Sequence, residues 1–142
     1  ESFDHGSLVS RLLVVQHELF HLGALLACAK EAEISNDEAK SSGNFAGWAR
    51  RLEQQIDEFD GALPSLKNFI IPGGAASNAQ AHLSRAVCRR VERLLIRFRE
   101  EEPVEDSIIV YLNRLSDWLF VVARFILAKS GKEESIWTGI PV

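Results

Sequence analysis

Arginine dominates the most chemically suggestive stretch of this sequence. Between Arg85 and Arg99 there are six arginines (85, 89, 90, 93, 97 and 99) and a single acid, Glu92. Arg85, Arg89 and Arg93 are spaced i, i+4, i+8, so on a helix at 100° per residue they stack into one stripe, with His82 and Glu92 on the same side. Like charges at i, i+4 each cost about 0.2–0.5 kcal/mol in an isolated helix. Two such pairs in series, in a chain of net charge −4, ask for an anion or for carboxylates from elsewhere. The planar fork of arginine suits bidentate recognition of phosphate or carboxylate. A solvated face, or ion pairs between helices, would leave the same pattern.

A second polar stripe lies downstream. Asn113, Asp117 and Arg124 fall within about 40° of one another around a helix that is otherwise rich in Leu112, Leu115, Trp118, Leu119, Val122 and Ile126. Polar groups on such a helix need partners, and the upstream arginines are the expected ones; structural cross-bracing by Asp117 and Arg124 is the other reading. Between the second and third helical patterns, Lys67-Asn68-Phe69-Ile70-Ile71-Pro72-Gly73-Gly74 is apolar for a connection. Loops avoid burial unless their backbone polar groups are satisfied, so this one is expected to cover something. Gly73-Gly74 lets backbone approach a ligand closely, or simply makes a helix-start turn with Phe69 plugging the bundle end. His17-Glu18-Leu19-Phe20-His21 fits the zinc-peptidase pattern H-E-x-x-H, but no third ligand motif follows, and zinc catalysis is set aside in favour of exposed or helix-bridging histidines.

The elements that must position these groups are helices. Leu8, Leu12, Val15, Leu19, Leu22 and Leu26 alternate steps of four and three and predict a helix from Ser7 to about Glu33 with one face in a core. Residues 34–44 are polar and turn-rich and predict a loop. Trp48, Leu52, Ile56, Phe59 and Leu63 mark a shorter second helix. A third is expected from about Ser77 to Glu101, stopped before Pro103, and a fourth from about Glu105 to Lys129, closed by Ser130-Gly131. The tail, 132–142, is expected to be extended, and nothing in the chain reads as a strand. The fold class is therefore all-α, an up-and-down helical bundle in one domain over 1–142.

Composition is that of an ordinary globular protein, with 142 residues, 46% hydrophobic and 25% charged. The net charge of −4 argues against general affinity for nucleic acid or anionic lipid. No apolar run approaches the roughly 20 residues that span a bilayer, and no membrane partner is expected. The first residues show no signal-peptide pattern. Cys28 and Cys88 share no metal-ligand spacing and read as reduced core thiols, so a cytoplasmic location is expected.

Three stretches together resemble the cobalamin adenosyltransferase family named for propanediol utilisation, whose mammalian members are mitochondrial. They are Phe69-Ile-Ile-Pro-Gly-Gly74, then His82-Leu-Ser-Arg-Ala-Val-Cys-Arg-Arg-Val-Glu-Arg93, then Tyr111-Leu-Asn-Arg-Leu-Ser-Asp-Trp-Leu-Phe120 continued by Ala123-Arg124. Weaker similarity extends from Leu8 through Leu66. The resemblance implies that Phe69 sits under the corrin ring and displaces its lower ligand. It implies that Arg89 and Arg93 hold ATP phosphates and that Asn113 belongs to the nucleotide site. Arg85 would pair with an aspartate of a neighbouring subunit, and Glu92 would support the arginine cluster, with Asp117 also supporting the site. ATP, cobalamin and Mg²⁺ are implied, together with a homotrimer of five-helix bundles, a reductase and an adenosylcobalamin-dependent acceptor enzyme. A eukaryotic source would imply the mitochondrial matrix.

The implied reaction transfers the 5′-deoxyadenosyl group of ATP to cob(I)alamin. The resemblance also has a gap. The family's Gly/Thr-bearing ATP loop with its lysine, and the following helix with an Asp-Glu-Leu-Asn-like motif, have no counterpart in these residues, which match four of the five helices. The expected partner of Arg85 is absent with them. A non-catalytic corrinoid-binding or delivery module is the alternative function.

Overall fold

The computed structural model describes residues 5–28 and 43–140. Its elements run α1 (His5–Cys28), α2 (Phe45–Gly61), β1 (Ile70–Ile71), α3 (Ala76–Phe98), α4 (Asp106–Lys129) and β2 (Ser135–Ile136). All four expected helices are present and the described residues are mainly helical, as the periodicity predicted. The expected loop falls on residues outside the description except for 43 and 44, and so does the side chain of Cys28. By contacts the chain divides into a unit of residues 1–44, which holds α1, and a unit of residues 45–142.

In α1 the buried residues are Leu8, Val15, Glu18 and Leu22, whereas Leu19 is exposed. The buried arc is thus rotated by about 40° from the leucine stripe read in the sequence, at 100° per residue. The helix also exposes Val9, Leu13, Val14 and Phe20. With apolar residues nearly all round, periodicity does not determine which side is covered.

In the second unit α4 is the central element, with α2 and α3 both packed on it and not on one another. Three side-chain bonds fix the α3–α4 register: Cys88 Sγ to Leu112 O (3.3 Å), Asn113 Nδ2 to Glu92 Oε1 (3.1 Å) and Asn78 Nδ2 to Ala123 O (2.8 Å). Numbers fall along α3 as they rise along α4, so these helices are antiparallel. Along α2 and α4 both rise together: Phe45 meets Tyr111, Gln55 Oε1 accepts from Trp118 Nε1 at 2.9 Å, and Asp60 lies by Arg124. Up-and-down alternation therefore holds across α2, α3 and α4.

Burial follows from this arrangement. Tyr111, Leu112, Leu115, Trp118, Val122 and Ala123 of α4 are almost wholly covered, as are Phe45, Leu52 and Phe59 of α2. The aromatics meet edge-on or tilted, Phe59 against Phe125 at 4.9 Å and Phe45 against Trp48 at 4.8 Å between ring centres, the geometry their quadrupoles favour. Asp106 in the first turn and Lys129 in the last complement the dipole of α4.

The absence of strands is corrected. Ile70–Ile71 and Ser135–Ile136 pair antiparallel, Ile70 opposite Ile136 and Ile71 opposite Ser135. Two residues are too few to show alternation, so the ladder left no periodic signal. It places the tail beside the Phe69 connection. At the end of that connection Gly73 and Gly74 have φ of 137° and 109°, where a side chain would be strained. A Cβ on Gly74 would also come within 2.8 Å of Leu127 Cδ1. The close approach that Gly74 permits is to the bundle, whereas a Cβ on Gly73 would meet nothing within 4 Å.

Candidate active site

A cleft of about 370 Å³ lies where the connection crosses the α3–α4 pair. Leu66, Asn68, Phe69 and Ile70 line it from the connection, Arg85 and Arg89 from α3, and Ser116, Asp117 and Phe120 from α4. The structure thus brings four residues singled out in the sequence, Phe69, Arg85, Arg89 and Asp117, to one cleft. Their meeting follows from the antiparallel register, which sets the middle of α3 against the middle of α4.

Phe69 is 79% exposed and does not plug the bundle end. Its ring meets only the edge of Trp137 among the described aromatics, with centroids 6.2 Å apart. Ser116 contributes little to the cleft chemically, because its hydroxyl is already bonded to Asn113 O at 2.8 Å. Phe120 is the hinge of the arginine side. The Arg85 guanidinium lies over its ring at 5.6 Å, and the His82 ring meets it edge-on at 6.1 Å. Arg85 Nε and His82 Nδ1 are buried without hydrogen-bond partners. Burial lowers the pKa of His82 and the Arg85 charge lowers it further, against an opposing pull from Glu134, a balance that favours the neutral imidazole.

Arg89 and Arg93 are exposed, and among the described residues neither forms an ion pair. Arg89 lines the cleft; Arg93, one turn on, does not. Asn113 is also outside the cleft wall, and its amide donates to Glu92. The described partner of Glu92 is therefore an amide on α4, not an arginine of its own helix. The expectation that α3 arginines would pair with the α4 polar stripe is likewise replaced. Asp117 accepts from Arg114 Nη1 at 3.0 Å, one helical turn away. Arg124, 2% exposed, donates from Nε to Glu134 Oε1 at 2.6 Å and from Nη2 to Pro64 O at 2.8 Å, with Asp60 Oδ1 3.5 Å from Nη1. Its partners come from the tail and the end of α2, sequence-distant groups that helical periodicity does not reveal.

Other candidates resolve plainly. Cys88 is buried, and burial pushes its thiol up to about 12, which suits an inert core residue. In the H-E-x-x-H segment Glu18 is buried, His17 exposed and His21 half-buried. Among the described residues no group of three or more His, Cys, Asp or Glu is placed to hold a metal ion. None of the described helices is long and apolar enough to cross a membrane. Phe120, which lines the cleft, and Trp137 and Glu134, which touch Phe69 and Arg124, are not marked by the sequence reading. Phe120 could have been found from its place one turn beyond Asp117; the tail residues carried no periodic signal.

Comparison with known proteins adds the family. The corrinoid adenosyltransferase of Bacillus subtilis (strain 168) is 37% identical over 124 residues, covering 87% of this chain and 61% of that protein. The human corrinoid adenosyltransferase MMAB is 35% identical over 135 residues, covering 92% of this chain and 52% of that protein. The chain thus spans between half and two thirds of the length of these relatives. A variant PduO-type ATP:corrinoid adenosyltransferase from Lactobacillus reuteri, solved with cobalamin and ATP, superposes with a TM-score of 0.78 at 26% identity, over 96% of this chain and 73% of that one. The family model described as cobalamin adenosyltransferase matches residues 2–126. Because that match runs through three helices and most of α4, the chain belongs to the cobalamin adenosyltransferase family.

Proposed function

We propose that the protein carrying this chain transfers the 5′-deoxyadenosyl group of ATP to the cobalt(I) of cobalamin. Cobalt(I) attacks the 5′ carbon, a cobalt–carbon bond forms, and the carbon–oxygen bond to triphosphate breaks with its electron pair on oxygen. One observation in the chain carries this reading: an exposed phenyl ring, Phe69, stands at a cleft also lined by Arg85 and Arg89. A large exposed apolar ring on an ordered connection fits a flat apolar ligand face. The relatives named corrinoid adenosyltransferases, and the related enzyme solved with cobalamin and ATP, support the same assignment.

Phe69 would exclude the lower donor from cobalt without donating itself. Axial donation raises the orbital that accepts the electron, so its removal eases reduction of cobalt(II) to cobalt(I). Arg89, exposed and unpaired among the described residues, would stabilise charge developing on triphosphate, with Arg93 next along the polyphosphate. Glu92 and Asn113, bonded to each other, would fix the α3–α4 register beneath these arginines. Asp117 would hold the far wall, and the buried, unpartnered Nε of Arg85 suits a carboxylate supplied by a neighbouring subunit. Mg²⁺ arriving with ATP would offset part of the triphosphate charge; the described residues offer it no ligand cluster, and no step is assigned to it.

The assembly that fits is a homotrimer. Leu83, Val87, Leu94 and Phe98 are exposed and fall within about 60° of one another around α3, a stripe suited to a second copy. A reductase supplying cobalt(I) and an acceptor enzyme using adenosylcobalamin complete the chemistry. The direct test is incubation of the full-length protein with ATP and reduced cobalamin. Adenosylcobalamin and triphosphate should form in equal amounts. Cobalamin binding without triphosphate release would instead identify a corrinoid-binding or delivery module.

A further inference from the structure

The segment after α4 grips the Phe69 connection at several points. Lys132 Nζ donates to Gly74 O at 2.8 Å, and Glu134 receives the buried Arg124 guanidinium. Ile136 and Ser135 pair with Ile70 and Ile71, and the Trp137 amide donates to Phe69 O at 2.8 Å. The Trp137 indole then meets the Phe69 ring edge-on. Residues 132–140 lie beyond the family match, which ends at residue 126. Phe69 itself is mostly solvated, and exposed side chains change rotamer freely on the picosecond-to-nanosecond scale. An exposed phenyl cannot block one face of a metal unless something limits that freedom. Among the described residues Trp137 is the aromatic placed to do so, and it stands beside a two-pronged ion pair whose arginine is buried and a two-residue ladder.

We propose that Trp137 is a positioning residue for Phe69. Anchored through Arg124–Glu134 and the β1–β2 ladder, it holds the phenyl ring in the orientation that excludes the lower donor from cobalt. This rests on the corrinoid reading of the cleft.

The test uses full-length protein with cob(II)alamin and ATP, read by electron paramagnetic resonance for four-coordinate cobalt(II) and by steady-state kinetics. In Trp137→Ala the four-coordinate fraction and kcat should fall about five- to tenfold, the size expected from one lost aromatic pair. Cobalamin affinity and KM for ATP should stay unchanged, and Trp137→Phe should restore most of the signal. Trp137 is half exposed, so the variant should fold; if it does not, Glu134→Gln, which loosens the anchor, should lower the same signal in the same direction. A wild-type four-coordinate fraction in Trp137→Ala overturns the positioning role, as does a rate loss explained wholly by weaker cobalamin binding. A wild-type protein that itself shows no four-coordinate cobalt(II) overturns the corrinoid reading, and the positioning role with it.

Discussion

Arg124 on α4 and Arg89 on α3 carry the same guanidinium within one packed unit, yet their surroundings differ completely. Arg124 is buried and spans Glu134, Pro64 and Asp60, so its charge is spent on joining the tail and the end of α2 to the central helix. Arg89 stands in the open at a cleft, and no described carboxylate answers it. An arginine with each guanidinium nitrogen engaged by the chain serves the fold, and one left open on an acidic protein is available to an anion. Charge spacing alone could not separate the two, because both were read as members of polar stripes.

The strongest way to break the comparison is Arg124→Ala. It strands Glu134 and empties a buried volume, and should cost about 3 kcal/mol of stability, seen as a lower midpoint in urea denaturation. Stability within error of wild type would remove Arg124 from its structural role. Arg89→Ala should do the reverse. Stability should change by less than about 0.5 kcal/mol, while the ATP dependence of kcat/KM should worsen by about 1.5–3 kcal/mol. Equal kcat/KM for the two proteins would take Arg89 out of the site. Arg93, which does not line the cleft, should show a smaller loss in the same assay.

Phe69→Ala sharpens the contrast on the apolar side. A buried phenyl would cost about 3–5 kcal/mol on truncation, but this ring is exposed, and calorimetry should show a change below about 1 kcal/mol. Its effect should instead fall on the four-coordinate cobalt(II) signal. The smallest effect concerns His82, buried beside Arg85 and Phe120, with the Glu134 charge also acting on it. Its pKa is lowered on folding, so the unfolded chain binds the proton more readily. The stability of keeping it neutral is complete above the ordinary value of 6.5 and is lost as pH falls below it. Between about pH 6.5 and 5.5 that loss should be about 1 kcal/mol or less. Denaturation curves of His82→Gln should be flatter over this interval, and identical slopes would show that His82 does not titrate on unfolding.

Much of this organisation is legible in the residues alone. Gly131 and Pro103 marked the ends of α4 and α3, and the Phe69, Arg85, Arg89 and Asp117 groups were named before they met in one cleft. Three features were not legible, each for a physical reason. The arc buried on α1 was misplaced because Val9, Leu13, Val14 and Phe20 give that helix apolar residues on nearly every side. The β1–β2 ladder is too short to alternate. The partners of Arg124 are fixed by tertiary placement, ten residues away at Glu134 and sixty-four at Asp60, and no local period encodes them.

The central position of α4 has a consequence for synthesis. α2 and α3 emerge from the ribosome first, but they pack on α4 and not on each other. The contacts of Phe45 with Tyr111, and of Phe59 with Trp118 and Phe125, therefore form only once α4 has been made. Chain growth at about 5–20 residues per second delays these contacts by several seconds. During this interval the nascent chain is most in need of a chaperone, and slowing elongation before α4 should raise aggregation more than slowing it afterwards.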